Sequence, residues 1–379
     1  VVGFVGGTGL LEMTAVEHPL TGPADEPEEP SPVVAPRLSR HTFTLSDGRR
    51  IGLSVSGRGV PLVVVHGYTA EGFLYAQTLH RLVSKGFKVV AIDMAGHGAS
   101  EHLAWGLGRL GDYSDIMSQS MAELGIRKAV IAGHSMGGRV AAGLGAMRPD
   151  QVVALLLIDA IVGDEWDQMV LAMRFAPPLL AGMGAALLFD GLTTLPVFKD
   201  PKQAAKLWRL LMPTYAGNVT RPWRLFGPGM SILRSRGSRA ILDELASQEV
   251  PTFVISGDRD PVVPICTARS AADRANGQLV TVRGAGHSWM LTDPETLPAI
   301  VSQLLEDRLG LAIRRAITAA GAESVDELES IFYERDAPIL GLSPVPSEVP
   351  MEGPVEDAGP APAPGQVRHR APRYRWRID

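Results

Sequence analysis

The chain has 379 residues, thirty-six of them basic and forty-one acidic, for a net charge of −5 with histidine neutral. A single cysteine, Cys266, excludes an internal disulfide framework and any cysteine-based zinc cluster, and the near-neutral balance leaves no bulk cationic footprint for nucleic acid. At 45% hydrophobic and 20% charged, the composition is globular, and a body of this size buries about three-quarters of its unfolded surface.

The chain opens on Val1, with Met13 an alternative start. Residues 1–36 carry six acids and no Lys or Arg, so the positive segment of a secretory signal is missing. Residues 20–36 are rich in proline and glutamate and read as an unstructured leader. An opening hairpin follows, with Thr42–Ser46 and Ile51–Val55 joined across Asp47-Gly48. Further strands are expected at Leu62–Val65, Lys88–Ile92, Ala129–Ala132, Val152–Ile158, Thr252–Ile255 and Leu279–Val282, with amphipathic helical patterns between most of them. Continuous apolar strands alternating with such helices predict an α/β fold, a mostly parallel, doubly wound sheet of about eight strands covered on both sides.

One interval breaks that rhythm. Residues 161–248 show no clear strand and hold apolar helical stretches bearing Met169, Met173, Met183, Met212 and Met230. They read as a helical cap over the carboxyl edge of the sheet. The longest apolar run, Phe175–Phe189, has fifteen residues. A spanning helix needs about 20, so a buried or interfacial helix is expected. A last core helix is expected at Glu295–Glu306, and Ser324–Glu327 resembles a capped helix start. The predicted organisation is a disordered leader (1–36), a core from 37–160 and 249–308, the cap (161–248), C-terminal helices (309–338) and a disordered proline-rich, basic tail (339–379). A cytoplasmic protein is expected, with peripheral membrane association through that tail as a further expectation.

The strongest chemical signal is Gly133-His134-Ser135-Met136-Gly137, between a predicted strand and a predicted helix. Acyl transfer needs a serine oxygen held proud of the backbone, within reach of both a carbonyl and a base. A tight strand-to-helix turn does this, and glycines remove the side chains that would clash there. The helix start also aims backbone N–H groups and the positive end of its dipole at developing negative charge. A base belongs late in the chain, and His287 stands in Gly284-Ala285-Gly286-His287-Ser288 after the last strand. An acid belongs after the strand between them, where Asp260 lies in GDRDPVVP at Gly257–Pro264. Asp159, after the sixth strand, and Asp258 are the competing acids.

Together with HGYT at His66–Thr69 and DMAGHGAS at Asp93–Ser100, these motifs make residues 40–308 resemble a capped α/β-hydrolase of the serine hydrolase or esterase type. The resemblance implies Ser135 as nucleophile, His287 as general base, Asp260 as the residue orienting it, and the backbone N–H groups of Tyr68 and Met136 as an oxyanion hole. It implies no metal or organic cofactor. The implied reaction is hydrolysis of a small-molecule carboxylic ester, with an apolar acyl group favoured by the Met-bearing cap. Carbon–carbon, amide and thioester hydrolysis and acyl transfer can use the same three groups, and a non-catalytic scaffold that kept the fold is the alternative from another class. A serine at position 135 argues against the epoxide-opening and dehalogenating chemistries, which use aspartate there.

Other residues have plainer readings. His66, Asp93 and His97 are expected to stabilise loops, His134 to pack beside the site, and Cys266 to be buried filler. The opening VVGFVGGTGL lacks the spacing of a dinucleotide fingerprint. Arg368, Arg370, Arg373, Arg375 and Arg377, with Tyr374 and Trp376, read either as a solvated tail or as a weak anchor for an anionic lipid surface or acidic partner.

Overall fold

A computed structural model of the chain describes residues 38–103, 108–194, 201–221, 223–321, 327–342 and 371–379. Nine strands build one sheet: β1 (Ser39–Thr44), β2 (Arg50–Ser56), β3 (Val60–Val65), β4 (Phe87–Ile92), β5 (Ala129–His134), β6 (Val152–Ile158), β7 (Thr252–Gly257), β8 (Gln278–Arg283) and β9 (Arg375–Ile378). Their order is β1-β2-β4-β3-β5-β6-β7-β8-β9. Antiparallel pairing is confined to β1 with β2, β2 with β4, and β8 with β9; the six strands from β4 to β8 are parallel. The central strands are buried along their whole length, whereas β1 and β9 alternate between buried or half-buried and exposed residues. This is the pattern of a covered parallel sheet with partly solvated edges.

The helices are α1 (Ala76–Val83), α2 (Leu110–Glu123), α3 (Met136–Met147), α4 (Asp164–Phe175), α5 (Pro177–Thr194), α6 (Pro201–Thr220), α7 (Trp223–Leu233), α8 (Arg239–Ser247), α9 (Ile265–Arg274), α10 (Trp289–Thr292), α11 (Thr296–Glu306), α12 (Arg308–Ala319), α13 (Leu328–Phe332) and α14 (Pro338–Gly341). The chain steps one way across the sheet from β3 to β4, then reverses past β3 to β5 and continues to β8. Right-handed crossovers running in opposite directions put their helices on opposite faces. So α1, with α11 beside it, covers one face, and α3 and α9, with α8 against both, cover the other. The strand order reverses between β3 and β5, and the carboxyl ends of strands at such a point form a ready crevice.

Three sequence expectations need correction. In the expected disordered tail 339–379, residues 375–378 form β9 along the open edge of β8, and Ile339 is buried in α14. The prolines before β9 dominate the composition, but Arg-Trp-Arg-Ile alternates with the period of a strand. Its Trp376 indole donates to Gln303 Oε1 at 2.7 Å, and the Tyr374 ring meets Trp289 edge-on. Second, α8 lies in the interval expected as cap, yet Leu242 and Leu245 are fully buried where it packs on α3. Third, Cys266 is exposed, because the first turn of α9 turns Thr267 and Ala268 inward instead. Ser324 and the leader 1–36 lie outside the described residues. The segment around α13 and α14 joins the core through buried Phe332, Tyr333 and Ile339, and the Tyr333 hydroxyl donates to Gly59 O at 2.8 Å. Among the described residues, no helix is long and apolar enough to cross a membrane.

Candidate active site

Ser135 joins β5 to α3 with φ 53° and ψ −118°. A non-glycine residue in this region is strained by about 1–3 kcal/mol, and the surroundings hold it there. Its N–H donates to Ile158 O at 2.9 Å, and its carbonyl accepts from Gly138 and Ile161. The flanking glycines are needed for space. A Cβ on Gly133 would run into Gly137 O, and one on Gly137 would run into the carbonyls of Val65 and His66. Helix α3 therefore starts directly against the end of β3, at the crevice.

The late loop brings His287 to this serine. His287 Nε2 lies 3.0 Å from Ser135 Oγ, and His287 Nδ1 lies 2.7 Å from Asp260 Oδ2. The other carboxylate oxygen of Asp260 accepts the N–H groups of Val262 at 2.7 Å and Val263 at 2.8 Å. With its carboxylate pinned at both oxygens, Asp260 fixes the imidazole so that Nδ1–H donates to it and Nε2 faces the serine hydroxyl. Burial by itself would depress His287, but the charge and hydrogen bond of Asp260, helped by Asp159 and Asp190, outweigh it and hold the imidazole above its ordinary value of 6.5. All three side chains are covered, with Ser135 only 7% exposed.

The competing acids have other partners. Asp258 accepts the N–H of Gly284 at 2.6 Å and holds a turn. Asp159 accepts from Gly257 N–H at 2.8 Å and from the Trp289 indole at 2.7 Å. Burial and the Asp260 charge push its carboxyl well above the usual range.

Loop residues 66–69 meet the elbow from the β3 side. A Cβ on Gly67 would lie 2.9 Å from His134 Nδ1 and 3.3 Å from Ser135 Cβ, so the backbone leading into Tyr68 runs against the serine. Met136 opens α3, and the first N–H groups of a helix have no acceptor within it. Tyr68 follows Gly67 in that loop and Met136 follows Ser135 in the chain, so both lie close to the serine. Two neighbouring histidines have hydrogen-bond partners of their own. His134 pairs with the Tyr75 hydroxyl at 2.9 Å and His287 O at 3.0 Å, and burial pushes it down to about 3. His66 accepts the Met94 N–H at 2.9 Å, and burial lowers it to about 4. Asp93 ties down two loops through the N–H groups of Gly72 and Ala99.

One residue escaped the sequence reading. Asp190, on α5, is buried and accepts the backbone N–H of His287 at 2.8 Å. Its signal was present as the lone acid closing the fifteen-residue apolar run. On the next helix, Asn218 donates to Thr69 O at 3.0 Å. Helices α5 and α6 therefore touch both loops of the site. Among the described residues, no group of three or more His, Cys, Asp or Glu side chains is arranged to hold a metal ion.

A strand-order crevice, a strained serine elbow and a buried Ser–His–Asp hydrogen-bond chain define the hydrolase class of sheet proteins. The model of the alpha/beta hydrolase family matches residues 62–299, and the chain belongs to that family. It is 32% identical over 291 residues to a protein of Mycobacterium phage D29 named as a non-heme haloperoxidase, covering 75% of this chain and all of that one. Among solved structures it resembles a bacterial membrane phospholipase A (TM-score 0.58, 23% identity, 71% of this chain and 86% of the other). It also resembles a thermophilic esterase from Thermogutta terrifontis (TM-score 0.55, 20% identity, 71% and 98%). At these identities the two structures bear on the fold alone.

Proposed function

We propose that the protein is a serine hydrolase of carboxylic esters, with an apolar acyl group favoured. The observation that carries this reading is the unbroken chain from Ser135 Oγ through His287 to Asp260, at 3.0 and 2.7 Å. In this mechanism His287 Nε2 takes the serine proton as Oγ attacks the ester carbonyl. The amides of Tyr68 and Met136 hold the oxyanion, each such donor contributing about 3–4 kcal/mol. His287 then protonates the departing alcohol, and water, activated by the same imidazole, releases the acid from Ser135. The half-buried Met169, Met183 and Met230 of the cap suit an adaptable apolar pocket.

The test is labelling by a fluorophosphonate probe, alongside turnover of p-nitrophenyl esters of increasing acyl length, an amide and a thioester. Labelling and ester turnover by the wild type, both lost in Ser135→Ala, are expected. A folded wild-type protein that takes no label would favour the scaffold alternative. The relatives named haloperoxidases motivate a second reading, in which hydrogen peroxide replaces water as acceptor of the acyl group. It forms a peracid where hydrolysis forms an acid, so adding peroxide to the ester assay separates the two.

A further inference from the structure

We propose that the outer face of the cap, formed by α4 to α7, is a docking surface for an anionic lipid layer. The first observation is where apolar side chains meet solvent. Phe175, Phe226, Phe189, Trp208, Leu171 and Leu179 are between 51% and 81% exposed, and all lie in these helices. Elsewhere among the described residues only Met147 and Leu311 are large, apolar and exposed. A monomer that scatters such residues singly needs no explanation, but a concentration in one substructure marks an interaction site. Helix α5 makes the point by itself. Its eighteen residues hold a single charge, Asp190, and that carboxylate is turned inward to His287. A helix apolar all round belongs in a core or against lipid, yet Leu179, Leu180 and Phe189 of α5 face out.

The second observation is charge. The sequence spanned by α4 to α7, residues 164–233, contains seven Lys and Arg and five acids, while the rest of the chain holds twenty-nine basic and thirty-six acidic residues. Three of those acids sit in the first turn of α4 and bond groups outside these helices, Asp164 to Arg274, Glu165 to Ser270 and Asp167 to Ser238, and Asp190 is turned to His287, so the charge left on the outer helices is mostly basic. Apolar and basic groups share a surface there: Met173, Leu180, Met230 and Leu233 line an open cavity of ≈ 530 Å³ together with Arg174 and Arg234. An amphipathic, cationic helical layer lies in an interface with its rings among the acyl chains and its Arg side chains at anionic headgroups. A second copy of the chain fits less well, since a symmetric pair would bring two positive faces together.

This places the lipid contact on the cap, away from the basic C-terminal strand. There Arg377 is paired with Asp379 and Arg373 lies over the Tyr374 ring, while β9 itself is held in the sheet.

The experiment is co-sedimentation of the full chain with vesicles of phosphatidylglycerol and phosphatidylcholine, and with phosphatidylcholine alone, at low and high salt. Binding needs no turnover, so its outcome is independent of the ester reading. We expect anionic vesicles to bind the wild type and salt to weaken the binding. Phe175→Ser with Phe226→Ser, and separately Arg209→Glu with Arg221→Glu, should each lower binding about tenfold or more. All four residues are exposed, so thermal melting of the variants should match the wild type, and Arg373→Glu with Arg375→Glu should bind as the wild type does. Equal binding to both vesicle types, or loss only in the Arg373/Arg375 variant, would overturn the proposal. So would a lipid-free dimer that the Phe175/Phe226 variant dissociates, since a second copy would then cover the face.

Discussion

Replacing Gly137 by alanine tests the elbow most directly, because the obstacle is backbone and cannot swing away. The new Cβ would run into two carbonyl oxygens, Val65 O and His66 O, well inside the 3.0 Å that real Cβ contacts keep. Relieving both requires α3 to draw back from the end of β3 by more than about half an ångström, and overpacking of this kind costs about 1–3 kcal/mol. The displaced segment carries Ser135 and the Met136 amide, while His287 stays on its own loop. A misplacement of about 1 Å can cost about a hundredfold in rate, so kcat should fall about ten- to a hundredfold and Tm should drop. Gly182→Ala is the control. It lies in helix α5 with nothing within 4 Å of the added methyl, and it should raise stability by about 0.5–1 kcal/mol. The assay is p-nitrophenyl ester turnover with thermal melting of both variants. If Gly137→Ala kept wild-type kcat and Tm, the elbow would not be the tightly apposed turn described above.

Other predictions follow from the same site. Ser135→Gly should melt higher than Ser135→Ala, because only glycine adopts φ 53° without strain; equal melting temperatures would argue against a strained elbow. The rising limb of the pH–rate profile should centre above 6.5, since His287 must be neutral to act and its neighbours hold it raised. Asp190→Asn keeps an acceptor for the His287 N–H but removes one of those charges, so the limb should move to lower pH, and an unmoved limb would refute its electrostatic part. The stability carried by the raised His287 has the opposite dependence, complete below about pH 6.5 and lost as pH rises through its folded value. Asp260→Asn should lower kcat about 10³–10⁴-fold; a loss under tenfold would move the orienting role elsewhere. Burial depresses His97 to about 3, so on acidification the unfolded chain gains a proton that the folded chain refuses. Between pH 7 and 5 the wild type should lose about 2 kcal/mol more stability than His97→Asn in urea melts.

The eight strands from Ser39 to Arg283 were legible because each is a contiguous apolar or alternating run. The serine turn was legible because its glycines bracket it within five residues, and His287 and Asp260 because each follows a strand in a short, distinctive loop. The sequence reading chose Asp260 over Asp159, and the packing agrees with that choice: Asp260 lies 2.7 Å from His287 Nδ1, whereas Asp159 is taken up by the Trp289 indole and Gly257 N–H. The place of His134 inside the motif did not reveal that Tyr75 and the His287 carbonyl occupy both ring nitrogens.

Contiguous pattern thus determined which segments are strands and helices and which three residues could cooperate, since a period or a tight turn is a property of neighbours in the chain. The tertiary structure alone decided that Arg375–Ile378 closes the far edge of the sheet, that Asp190 reaches from α5 to the His287 amide, and that apolar residues of α4 to α7 face solvent. Each of these depends on which distant surfaces meet. A hydrogen bond across 97 residues leaves no local periodicity behind, and an apolar side chain carries no mark of whether the fold will cover it.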